Sequence, residues 1–274
     1  MRGRLSLLAA LVLLLAGCAA PPPYAGPSLH LDGEDDHAVV GAVEADAPLA
    51  LAGSTFTVAA WFRQEPGGDP YQRIVDKSDG MFGHDGWALG ADSRTGQIHL
   101  YAHDGRKGGD FTTRRGAYRA GRWHHVAAVA RADRHEIWVD GVRDRKAAYE
   151  DGGDALPARV TTELRLGTWN HARGREWKGE LGEVAVWKRA LRPEEIVALA
   201  RARGMLDVRR DRGPYRGAAD LVGDWVPDAD GERMGVLRDL SPSGADARLV
   251  RTHARMRRNA DLGARRSTTI VSAR

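Results

Sequence analysis

The chain has 274 residues, 33 of them Gly, with 42% hydrophobic residues and a formal charge of +4. That length admits one large domain with extensions, and the glycine content suits a turn-rich sheet protein better than a helical one. Two Arg in residues 1–18 and a net six positive charges in residues 251–274 leave residues 19–250 near −4, which argues against a nucleic-acid-binding core.

Arg2 and Arg4, followed by the apolar run of residues 5–15, predict an export signal. The run is too short to span a bilayer as a helix. It ends in Leu15-Ala16-Gly17-Cys18, which resembles a bacterial lipobox and implies lipidation and membrane anchoring at Cys18. Ala19 after the cysteine is similar to the pattern of Gram-negative lipoproteins sent to the outer membrane. Cys18 is the only cysteine, so no internal disulfide can form. Residues 19–27, AAPPPYAGP, read as an extended Pro-rich linker, and the folded domain is expected over 28–204.

Within that domain, residues 55–62 alternate with two apolar faces, as a strand inside a sheet does. Short strands are expected near residues 74–77, 87–90, 97–102, 164–167 and 183–187, separated by turns. The densest signal is residues 121–141, GRWHHVAAVARADRHEIWVDG. Trp123 to Ala130 has period two, strand chemistry resumes at Ile137, and Asp140-Gly141 predicts a type I′ hairpin turn. Arg192-Pro193-Glu194-Glu195 opens one helix ending near Gly204, with Pro early and acids at its N-terminus.

Three of these stretches together resemble the laminin-G-like domains of the concanavalin A-like family. They are LHLDGEDDHAVV (residues 29–40), the GRWHHV…IWVDG core, and GELGEVAVWKRALRPEEI (residues 179–196). The resemblance implies an all-β, concanavalin A-like jelly-roll sandwich of two antiparallel sheets with one short C-terminal helix. Residues 219–250, in an extension over 205–250, resemble the strands such domains carry before the first motif. They are expected either to supply that strand from the other end or to be a remnant repeat. Residues 251–274 read as a basic, disordered tail.

Two acids on one strand face, spaced around a third, would signal a glucanase of this fold. Glu180 and Glu183, three apart, are expected on opposite faces. His124 and His125 point to opposite faces and cannot chelate one ion; His125 is expected beside Trp123. Asp32, Asp35 and Asp36 offer hard oxygens for calcium around a turn at Gly33, or simply form that turn. The resemblance places a further calcium-binding acid in the closing strand, where Gly182 stands instead. His84, Asp85, Tyr101, Trp169, Asn170 and His171 combine aromatic faces with hydrogen-bonding groups, as sugar sites do. The expected function is non-catalytic: an envelope lipoprotein binding carbohydrate or an extracellular protein. A glycoside hydrolase or polysaccharide lyase of the same fold, or a purely structural envelope protein, are the alternatives.

Overall fold

A computed structural model describes residues 24–42, 44, 47–79, 84–150, 152–158, 161–170, 174–250 and 255–258. Cys18 and His171 lie outside them. β1 (Pro27–Asp32) and β2 (His37–Val40) are joined by the Asp32 turn. β3 (Phe56–Gln64), β4 (Gln72–Ser78), β5 (Gly86–Asp92), β6 (Gln97–His103) and β7 (Gly108–Thr112) follow. Next come β8 (His124–Ala130), β9 (His135–Val139), β10 (Val142–Arg143), β11 (Ala148–Tyr149), β12 (Leu164–Leu166) and β13 (Lys178–Trp187). After helix α1 (Pro193–Ala202), the chain adds β14 (Leu221–Trp225), helix α2 (Ala229–Met234), β15 (Val236–Leu237), β16 (Ala247–Val250) and β17 (Arg255–Arg258).

The first sheet runs β10-β9-β8-β3-β13-β1-β17, and β14 also pairs with β13. The second runs β11-β7-β6-β5-β4-β12-β2-β16-β15. All the named pairings are antiparallel, giving a jelly-roll sandwich. Between the sheets lies a continuous core that includes Phe56, Phe62, Trp87, Leu100, Trp177 and Trp225. Asp140 and Gly141 both take left-handed φ, at 52° and 77°, the geometry a type I′ turn requires.

β3 is buried on both faces for a visible reason. Phe56, Val58, Ala60 and Phe62 enter the inter-sheet core, while Ala59 joins Trp138, Ala185 and Trp187 in a second cluster under α1. The helix is fixed at its start by Glu195, whose carboxylate accepts the Arg192 N–H at 2.7 Å and two bonds from Arg189. Burial alone would raise the Glu195 pKa, but these bonds hold it down at about 2.

Three sequence expectations change. Residues 24–27, assigned above to a linker, belong to the sandwich. Tyr24 is 1% exposed, and its ring meets those of Trp61 and Trp123 at 5.3 and 4.6 Å between centroids. A Cβ built at Gly26, Gly182 or Gly204 would collide with that ring, so three glycines form its seat. Residues 255–258, expected in a disordered tail, form β17 against β1; the open backbone groups of an edge strand are a template for such pairing. Glu180 and Glu183 share the outer face of the first sheet. A bulge between Leu181 and Val184 shifts the register there, and an extra residue resets the alternation.

The extension is woven into both sheets. β14 runs along β13 from Val184 to Trp187, beyond the stretch paired with β1, and β16 pairs with β2.

Candidate functional site

The outer face of the second sheet carries polar side chains in rows, because strand residues alternate and the inward ones fill the core. In register, Arg73 lies beside Gly90, then His99, then Thr112. The next row is Arg165, Asp76, Ala88, Tyr101 and Asp110. β5 therefore presents Gly86, Ala88 and Gly90 between two polar walls, with Asp92 at its end.

Arg73, Asp76 and His99 are 3%, 0% and 2% exposed. The Arg73 Nε lies 3.2 Å from the Asp76 carboxylate, whose other oxygen accepts from Ser78. Arg73 Nη1 meets no acceptor and leans over β5, 3.2 Å from where a Cβ on Gly90 would sit. His99 Nδ1 faces the Thr112 hydroxyl at 3.1 Å, while its Nε2 is buried without a partner. Burial, reinforced by the charge of Arg73, pushes the His99 pKa down to about 3, so its ring is neutral at physiological pH.

The rim above these groups is aromatic. The Tyr71 ring lies 4.6 Å from that of His99. The Arg175 guanidinium stands over Trp169 at 4.2 Å and over Tyr71 at 5.8 Å. Tyr71 and Arg175 both hold left-handed φ, at 63° and 65°, a costly backbone state for such residues. The Arg175 carbonyl accepts the Arg73 N–H at 2.9 Å, tying rim to floor.

The sequence candidates distribute unevenly around this face. Trp169 is part of the rim. Tyr101 is 4% exposed, and its hydroxyl donates to the His84 carbonyl at 2.6 Å. Asn170 donates to the carbonyls of Ser78 and Glu163, both at 2.8 Å. Asp85 accepts the Ala158 N–H at 2.8 Å. These three shape loops, whereas the His84 side chain is 52% exposed, 3.4 Å from Asp79. Tyr71, Arg73, His99 and Arg175 were not singled out by sequence. Strand periodicity could have put His99 beside Tyr101, but nothing local marks Arg73 or Arg175.

The Asp32 turn lies at the same end of the sandwich, where Asp32 pairs with Lys178. Ligand atoms of Asp32, Asp35 and Asp36 fall within 4.8 Å of one another. This donor set fits calcium in type, but Asp32 Oδ1 already accepts the Glu34 N–H at 2.9 Å and the Asp35 N–H at 3.3 Å. Gly182 is not the closing position of this cluster. It lies four residues beyond Lys178 on β13, about 13 Å at strand rise, under Tyr24.

The two histidines are structural. His124 Nδ1 bonds Asp140 at 2.8 Å, and the same carboxylate accepts the His125 N–H at 2.9 Å. The His125 ring contacts Trp61, its cross-strand partner, at 5.3 Å, rather than Trp123.

A different carboxyl pair forms on the outer face of the first sheet. Asp224 is opposite Ala185 on β13, on the same face as Glu183. Glu183 lines a cavity of about 10 Å³ with Trp61, His125 and Trp187, which is room for about one water and none for a sugar.

The sequence profile of the concanavalin A-like lectin/glucanase superfamily matches residues 32–197. The chain belongs to this superfamily. Among solved structures, a proposed carbohydrate binding protein from Bacteroides ovatus superposes with a TM-score of 0.56 at 14% identity. That match covers 86% of this chain and 61% of the other, so the chain spans about three fifths of that protein's length. The heptameric SAP-like pentraxin of Limulus polyphemus matches with a TM-score of 0.49 at 15% identity, over 81% of this chain and 98% of its own. The CBM40 of the Ruminococcus gnavus IT-sialidase, bound to α2,3-sialyllactose, gives 0.47 at 13% identity, over 59% and 97%. No curated protein matches the sequence.

Proposed function

We propose that this superfamily member is a non-catalytic carbohydrate-binding protein of the bacterial cell envelope, anchored by a lipid on Cys18. The observation that carries the reading is the Tyr71–Arg175–Trp169 rim over a polar sheet face. Aromatic faces cover the C–H patches of a sugar, and the polar floor fixes its hydroxyls. The fold shared with the Bacteroides ovatus protein supports it. Asp76 and Asp110 are the acids of the row next to the rim, and three strand spacings separate them. That is about 14 Å between backbones, wide of the roughly 5–9.5 Å that glycosidases place between carboxyl groups. Asp92, also on this face, is held by Arg94.

Replacing the indole tests the reading. Trp169→Ala is expected to weaken glycan binding at least tenfold, with the melting temperature nearly unchanged. Undiminished binding on a glycan array would move the site elsewhere.

Calcium is proposed at Asp32, Asp35 and Asp36, with the array run in calcium and in EDTA as its test. Binding that survives EDTA is expected if the sugar sits on the aromatic rim. Binding abolished by EDTA would put the sugar at the Asp32 turn.

A second reading, a polysaccharide lyase, is favoured by one feature. Tyr71, His99 and Arg73 come together here, although no such cluster was visible in sequence. Burial and neighbouring acids raise the Tyr71 pKa, and His99 is held neutral without a proton to give at Nε2 if Nδ1–H donates to Thr112. Such groups suit hydrogen bonding better than proton abstraction. Release of unsaturated uronides from a polyuronate would establish the lyase.

A further inference from the structure

Resting on that carbohydrate reading, we infer that the ligand is an acidic glycan, whose carboxylate is taken between Arg73 and Arg175. Two guanidinium groups here have N–H groups without acceptors, and the neutral His99 beside them adds an Nε2–H in the tautomer whose Nδ1 accepts from the Thr112 hydroxyl. Arg73 Nη1 and His99 Nε2 are buried and unpartnered, and each belongs to a side chain more than nine-tenths buried. The Arg175 side chain makes its contacts to ring faces, with no hydrogen bond or ion pair among the described residues. An unmade hydrogen bond from a buried cation is costly, and two guanidinium groups brought together repel. An anion relieves both costs at once, and guanidinium geometry matches a carboxylate.

An acceptor stands further along the face. Asp76 and Asp110 occupy the next row; Asp76 is committed to Arg73 and Ser78, and Asp110 is the acid placed to accept from a sugar hydroxyl. This polarity, donors at one end and an acceptor beyond, is that of a uronic acid: carboxylate first, ring hydroxyls after it. A neutral sugar could offer Arg73 Nη1 a hydroxyl oxygen but would leave the repulsion between the two guanidinium groups unrelieved.

A path for a longer chain continues from the donor end. Arg94, bonded to Asp92 at the end of β5, borders a groove of about 720 Å³ that Arg119 and Arg122 also line. Both of these are exposed, and neither makes an ion pair among the described residues. Successive acidic residues of a polymer leaving the Arg175 site would meet these cations in turn, adding a salt-dependent component to binding.

The full chain is titrated calorimetrically with polygalacturonate, with the same polymer after carboxyl reduction, and with dextran sulfate. Polygalacturonate is expected to bind, and carboxyl reduction to weaken it at least tenfold. Arg175→Gln is expected to cost a similar factor and Arg175→Lys less, both with a melting temperature changed by only a few degrees, since that side chain's contacts within the fold are to the Trp169 and Tyr71 ring faces. Arg73→Met is less informative alone because it strips Asp76 of its partner. Equal binding of the native and carboxyl-reduced polymers would overturn the inference while leaving carbohydrate binding standing. Binding of dextran sulfate equal to polygalacturonate, insensitive to Arg175→Gln, would overturn it as mere charge attraction. Silence towards all three polymers, together with silence on a neutral glycan array, would overturn both readings.

Discussion

Tyr24→Ala is expected to cost about 3–5 kcal/mol of stability, the range for truncating a buried aromatic side chain. The ring is seated among three glycines and two indoles, none of which can move in to fill the space it leaves. Its hydroxyl donates to the Pro27 carbonyl at 2.8 Å and accepts the Glu183 N–H at 3.2 Å. It therefore satisfies a backbone donor exposed by the β13 bulge and holds the entry to β1. A loss of this size lowers the melting temperature by roughly 10 °C in a domain of this length. Tyr24→Phe, which keeps the ring, should lose about 1–2 kcal/mol through the unpaired Glu183 N–H. Equal melting temperatures for wild type and Tyr24→Ala, read by differential scanning calorimetry, would remove Tyr24 from the fold's supports.

Asp224→Asn is expected to stabilise the protein at pH 8 by up to about 4 kcal/mol and to leave it nearly unchanged at pH 4. Asp224 is 2% exposed and its Oδ1 has no partner. Burial first, and the charge of Asp239 second, raise its pKa to about 7. Burial and the charge of Asp224 raise Glu183 well above the usual carboxylate range, so Asp224 ionises first and keeps its neighbour protonated. The sign follows. Because the folded pKa lies above the unfolded value near 4, the folded state holds the extra proton. Stability from the neutral form is complete below about pH 4 and is lost as pH rises to about 7. The amide stays neutral throughout, so its chemical denaturation midpoint should be flatter over that window. Asp224→Asn also relieves Glu183, so adding Glu183→Gln should give less than the sum of the two effects. A wild-type midpoint independent of pH between 4 and 8 would contradict this account.

The fold was legible in sequence where chemistry is local. The Asp140-Gly141 turn needs two left-handed residues, and the Thr57–Phe62 alternation needs two apolar neighbours; both signals sit inside a few residues. Glu183 was misread because a bulge is set by pairing with β3, which no window around Glu180 contains. Tyr24 was misread for a related reason. Its seat is built from Gly26, Gly182 and Gly204, and only the fold brings these together. The same holds for the candidate site. Trp169 and Tyr101 announce themselves as aromatics near polar loops, whereas Arg73 and Arg175 look like ordinary cations until β4 and the residue 174–176 segment are laid side by side. Asp85 and Asn170 have the right chemistry for a ligand, yet backbone groups of neighbouring loops claim their side chains.

The weaving of β16 onto β2 sets the order in which the protein can assemble. Ala38 finds its partner in Leu249, and Val184 in Trp225, so neither sheet is finished until nearly the whole chain has been synthesised. Contacts this distant in sequence slow folding. Under the proposed export of this chain, that delay would be of use, because a sandwich that cannot close early stays unfolded until its trailing strands arrive.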